Sequence, residues 1–178
     1  PAIYPAALHV MRGNMEIIKK AMKLQDARYK MHDKKPAKIV GVYLEGPFLN
    51  PSRCGALSAA SFVEPTEYNF KKLIEGFEDI VKIITIAPEI NGATGLIKKM
   101  SGMGIIVSMG HSDATYNEAE AGFNAGAKGI THIFNAMRGF HHREPGLAGF
   151  GLLNQDVYIE VIADPYHLHQ ATLELILR

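Results

Sequence analysis

Only one cysteine, Cys54, stands among the 178 residues, so an internal disulfide is excluded and nothing points to an oxidising compartment. A charge excess is also missing: 19 Lys and Arg against 18 Asp and Glu leave a net charge of +1. A general nucleic-acid or membrane surface needs a basic surplus to neutralise phosphates, and none exists. The short pairs Lys19-Lys20, Lys34-Lys35 and Lys98-Lys99 read as solvated helix faces or loops. No apolar run approaches the roughly 20 residues that span a bilayer, and no charged and apolar leader pair opens the chain. No Ser/Gly linker or low-complexity tract divides it. With 47% apolar and 21% charged residues, the expectation is one soluble, cytoplasmic globular domain. Pro1 is not an initiator Met, and the helical pattern of 171–178 stops at Arg178 without a Gly or Pro terminator. The chain therefore reads as a fragment of a longer protein.

What the sequence does contain is an alternation of short β-rich runs and longer helical patterns. The β-rich runs cover residues 2–7, 38–44, 81–87, 104–109, 129–133 and 157–163. Helical patterns cover 11–31, 66–78, 92–102 and 114–126, with Asn91 or Thr94 as caps for the third and Ser112 or Asp113 for the fourth. The connection 134–156 is Gly-rich and shows no clear long helix. Strands alternating with helices predict an α/β fold on a parallel sheet. Glu45, Glu89, His111, His132 and Asp164 sit at or just past the ends of successive runs, and a (β/α)8 barrel gathers those ends on one face. A doubly wound sheet collects its ligands at a switch point instead.

Glu45, His111 and His132 form the chemical core of the pattern. Each has small or turn residues beside it, in Leu44-Glu45-Gly46-Pro47, Met109-Gly110-His111-Ser112 and Ile130-Thr131-His132. Glycine permits close backbone approach and Pro47 fixes a turn. Two imidazoles and one carboxylate suit a zinc-type site with an open position. The same residue types also serve as turn caps and hydrogen-bonded structural histidines, so the residues alone leave both readings open. Glu89 reads as closing a turn after Pro88, Cys54 as a loop thiol without a partner base. His141, His142, His167 and His169 could form a second metal cluster, although exposed loop histidines are the plainer reading.

Six motifs occur in order: Leu44-Glu45-Gly46-Pro47-Phe48, Ile86-Ala87-Pro88-Glu89, Gly110-His111-Ser112, Thr131-His132-Ile133-Phe134-Asn135-Ala136-Met137, His142-Arg143-Glu144-Pro145-Gly146 and Ile162-Ala163-Asp164. Together they resemble the N-acetylglucosamine-6-phosphate deacetylase family of the amidohydrolase superfamily, over essentially the whole chain. The resemblance implies a partial (β/α)8 TIM-like barrel, with about six of eight strands in residues 1–178. The first and last strands and the small β domain would lie outside. It implies that Glu45, His111 and His132 bind a divalent metal, zinc first, with iron or another transition metal as alternatives. Ala56, Asn135, Ala136, Arg143 and His167 match substrate-binding positions. Arg143 would hold the phosphate of the neighbouring active site in a homodimer. The implied substrate is a phosphorylated N-acetyl amino sugar, whose acetamide is hydrolysed to glucosamine 6-phosphate and acetate.

Departures from the family pattern also register. Leu57 stands where many members have His, and Asp164-Pro165 replaces the usual Asp-Gly. The family's catalytic Asp lies beyond Arg178 and its His-x-His pair before Pro1. No catalytic residue is therefore assigned here, and the 178 residues alone are expected to be inactive. The alternatives are an N-acetylgalactosamine-6-phosphate deacetylase and a non-catalytic sugar-phosphate binding barrel. A cyclic-amide hydrolase would call for a lysine at a strand end, which the sequence lacks.

Overall fold

The computed structural model describes residues 1–29 and 37–178; the last positions of the first expected helix and the Lys34-Lys35 pair fall outside these. Six strands alternate with helices: β1 (Ala2–Ile3), α1 (Leu8–Tyr29), β2 (Val42–Phe48), α2 (Glu67–Ile74), β3 (Val81–Ile86), α3 (Ala93–Gly102), β4 (Ile106–Met109), α4 (Tyr116–Asn124), β5 (Gly129–Ile130), α5 (Gly146–Leu153), β6 (Tyr158–Ile159) and α6 (Gln170–Ile176). All neighbouring pairs are parallel and the strands lie in chain order, β1 to β6. Sequential order has no switch point, so the doubly wound alternative is excluded.

The sheet curls. Tyr43 on β2 places its hydroxyl 2.8 Å from Thr131 Oγ1, just past β5. Three strand spacings in a flat sheet would separate those strands by about 14 Å. Tyr43 also meets Thr85 Oγ1 at 3.0 Å and donates to Glu160 Oε2 at 3.1 Å, and Thr131 donates to Ser108 Oγ at 2.8 Å. Polar groups from five successive strands therefore share one concave interior, as in a segment of a TIM-like barrel. The alternate residues Leu44, Ile84, Val107 and Ile130 point outward and are fully buried beneath the helices. Met11 and Met15, one turn apart on α1, complete that outer core with Phe70 and Leu73 of α2.

Helix ends correct two expectations. Thr115, not Ser112 or Asp113, caps α4, in a capping box with Glu118. Gly92, not Asn91 or Thr94, occupies the cap of α3, at φ +89°. The Gly-rich connection contains an unforeseen helix, α5, apolar on every side. Its first six residues are all buried, and a methyl on Gly151 would stand 2.5 Å from Ile130 Cδ1. Burial removes the amphipathic period that would have announced it. No described helix is long and apolar enough to cross a membrane.

Candidate metal centre

Strand β2 runs farther than its β-rich run suggested and contains Glu45 rather than ending before it. Leu44 pairs with Ile84 and Phe48 with Ile86, so four residues of β2 advance against two of β3. The extra backbone between them is a bulge, a device that re-aims a side chain. Glu45 sits in that bulge and turns into the barrel mouth. His111 follows β4 with φ +48°, and His132 follows β5 with φ +31°. Side chains other than Gly rarely occupy this left-handed region. Phe134 and Ala136 adopt it too, at φ +73° and +48°, so four such residues cluster around one site. Strain gathered in this way marks functional loops.

The side chains converge. Glu45 Oε1 lies 3.0 Å from His111 Nε2 and 3.2 Å from His132 Nε2, and the two nitrogens are 3.1 Å apart. A tetrahedral ion with bonds near 2.0–2.1 Å separates its ligand atoms by about 3.3 Å, within a few tenths of this triangle. Three potential ligand atoms converging on one point suit a cation, and the donor set of two imidazoles and one carboxylate leaves a position open. Glu45, His111 and His132 are thus positioned to bind a divalent metal.

The surroundings prepare this role. Hydrogen bonds from His111 and His132, working against partial burial, hold the Glu45 pKa down at about 2. The carboxylate is therefore ionised across the neutral range. For His132, burial opposes the charged form, but the Glu45 hydrogen bond and charge outweigh it and raise the pKa. His111 Nδ1 lies 3.0 Å from the Arg53 carbonyl oxygen, which only accepts. Nδ1 thus carries a proton, which leaves Nε2 as the nitrogen available to a metal. Behind Glu45 and His132, a cavity of about 190 Å³ is lined by Ala2, Tyr43, Thr131 and Glu160. Burial raises the pKa of both Tyr43 and Glu160.

The other expected site residues divide into two sets. A methyl on Gly55 would stand 3.1 Å from Ala136 Cβ and 3.7 Å from His111 Cε1, so the segment leading to Ala56 lies against Ala136 at the centre's rim. Asn135 directly precedes Ala136, its N–H donating to the His132 carbonyl at 3.0 Å. Arg143 and His167 are exposed. His167 Nδ1 sits 2.9 Å from both Asp164 carboxylate oxygens. Glu144 does not pair with Arg143; it accepts the Tyr116 and Gly146 backbone N–H groups at 2.7 and 3.1 Å, which lower its pKa.

The second histidine cluster does not form: the Glu45, His111, His132 group is the one found among the described residues. The His141 and His142 rings lie 4.1 Å apart, tilted by 40°, and His169 caps α6 by accepting from Ala171 N–H. Glu89 does more than close a turn. It accepts from Asn50 Nδ2, Ser112 Oγ and Asp113 N–H at 2.8, 2.7 and 2.6 Å, joining the loops after β2, β3 and β4.

No protein-family model matches the chain. It is 40% identical over 146 residues to an N-acetylglucosamine-6-phosphate deacetylase of Vibrio furnissii, covering 78% of this chain and 35% of that one. It is 38% identical over 139 residues to an N-acetylgalactosamine-6-phosphate deacetylase of Escherichia coli O157:H7, covering 78% and 37%. The chain thus spans a little over a third of the length of these curated relatives. Among solved structures, it matches an N-acetyl-D-glucosamine-6-phosphate deacetylase from Mycobacterium smegmatis at TM-score 0.83 and 31% identity. That match covers 98% of this chain and 43% of the other. A mutant of the same enzyme has been solved in complex with N-acetyl-D-glucosamine-6-phosphate.

Proposed function

We propose, from its homology to a segment of these deacetylases, that the protein containing this chain hydrolyses the acetamide of N-acetylglucosamine 6-phosphate. The products are glucosamine 6-phosphate and acetate. One observation carries the reading: a carboxylate oxygen on β2 and two imidazole nitrogens just past β4 and β5 lie 3.0–3.2 Å apart. Residues 1–178 then form six strands of an amidohydrolase barrel, and Glu45, His111 and His132 hold a zinc ion. Bound there, zinc supplies a water of lowered pKa and a Lewis acid for a carbonyl oxygen.

The chain's own residues have binding and orienting roles. Glu45 brings the one negative charge, which offsets half the charge of a divalent ion. The His111 and His132 rings keep neutral nitrogens on it. Ala56, Asn135 and Ala136 contact the sugar at the rim, where Asn135 offers both a donor and an acceptor to hydroxyl or acetamide groups. Arg143, on an exposed loop, fits a phosphate because its planar fork grips two oxygens at once. It does so in the neighbouring site of a homodimer, while His167 binds substrate in its own. A cytoplasmic setting fits the lone thiol and the phosphorylated substrate.

The 38% identity to an N-acetylgalactosamine-6-phosphate deacetylase supports a second reading, in which the C4-epimeric sugar is the substrate. Acetate release by the full-length protein, measured on both sugars with and without a chelator, tests the proposal. Chelator-sensitive turnover that favours the gluco sugar is expected. Preference for the galacto sugar selects the second reading, and turnover indifferent to exhaustive metal removal refutes both.

A further inference from the structure

Asp113 makes more contacts than a loop residue after a metal ligand requires. Its Oδ1 accepts from Arg53 Nε at 2.7 Å, its Oδ2 from Arg138 Nη2 at 2.8 Å, and its carbonyl from Arg138 Nε at 2.8 Å. One carboxylate therefore ties together the loops after β2, β4 and β5. The Arg53 end closes a ring of contacts. The Arg53 carbonyl fixes the Nδ1 proton of His111, while the Arg53 guanidinium is held by a residue two positions after His111. At the other end, Ser112 N–H donates to the Ala136 carbonyl and Arg138 N–H to the Ser112 carbonyl. The segment carrying Asn135 and Ala136 is thereby stitched to the same loop.

We infer that Asp113 is a positioning residue: by bridging Arg53 and Arg138 it holds His111 in its metal-facing tautomer and aligns the loops that rim the centre. This rests on the metal reading given above. The side chains of Arg53, Asp113 and Arg138 remain 37%, 31% and 33% exposed. Pairs this accessible contribute little to stability. Their effect is therefore geometric, and it shows in metal affinity rather than in melting.

The test titrates zinc into the full-length protein against a chromophoric chelator and records the melting of the metal-free form alongside. Asp113→Ala is expected to weaken zinc binding about 10–100-fold, the range for groups that orient metal ligands, with little change in melting. Asp113→Asn, which keeps the shape but not the charge, falls between. If Asp113→Ala fails to fold, Asp113→Asn and Arg138→Ala carry the test, each expected to weaken binding. Glu67→Ala removes a comparable ion pair with Lys99 on the helical face and leaves affinity unchanged. Affinity within twofold of wild type in the folded Asp113 variants overturns the inference, whatever their melting does. Wild-type protein that takes up no zinc, or whose zinc binding survives both Glu45→Gln and His132→Ala, overturns the metal reading and this inference with it.

Discussion

Gly110→Ala puts a methyl group at the lip of the metal centre, directly before His111. A Cβ built there stands 2.9 Å from Thr131 Cβ, 3.2 Å from Thr85 Cγ2 and 3.4 Å from Thr131 Oγ1. Carbon atoms rest comfortably at about 3.5–4.0 Å, so Thr131 would have to retreat by about 0.6 Å or more. It is poorly free to do so, because its hydroxyl bonds Tyr43, Thr85 and Ser108 and its chain neighbour is His132. Overpacking of this kind costs about 1–3 kcal/mol. The narrower unfolded ensemble of Ala returns about 0.4–1 kcal/mol, and Gly110 lies outside the left-handed region, so no backbone strain is added. A net loss of about 1–2 kcal/mol follows. Denaturant unfolding of the full-length variant measures it, and zinc affinity should fall in parallel as His132 is pushed. Stability equal to or above wild type would show that the space beside Thr131 is roomier than the structure indicates.

Two further outcomes follow from the same site. Glu45, with a pKa lowered from 4.5 to about 2, binds its proton less tightly folded than unfolded. Its contribution to the stability of the metal-free protein is present above about pH 4.5 and disappears as pH falls towards 2. Glu45→Gln should flatten that part of the acid unfolding curve, and an unchanged curve would contradict the assignment. Tyr43→Phe leaves Glu160 and two threonine hydroxyls short of a partner, and should cost about 1–3 kcal/mol in denaturant unfolding. A neutral result would mean that water replaces the hydroxyl.

The sequence revealed strand existence better than strand extent. All six β-rich runs correspond to strands, because short apolar runs between helical periods have few other uses in an α/β fold. β1, β5 and β6 shrink to two residues each. The Glu45, His111 and His132 triad was only partly legible: glycine or turn residues beside each one are a local pattern, but turn caps and structural histidines stayed open on the residues alone, and Glu45 lies within β2 rather than past it. The interior ring of Tyr43, Thr85, Ser108, Thr131 and Glu160 was not read in the sequence, because it joins polar residues of five separate runs that meet only once the sheet curls. The Arg53–Asp113–Arg138 bridge was not legible, as it joins residues 60 and 25 positions apart whose proximity exists only after the sheet curls. Helix α5 escaped for another reason: with its first six residues buried and every residue apolar, it has no polar face.

Anomalous diffraction from crystals of the full-length protein grown with zinc tests the central claim most directly. A single peak within about 2.0–2.2 Å of Glu45 Oε1, His111 Nε2 and His132 Nε2 is the expected result. A peak that excludes any of the three, or a fully occupied zinc elsewhere with this triangle left without density, would contradict the account.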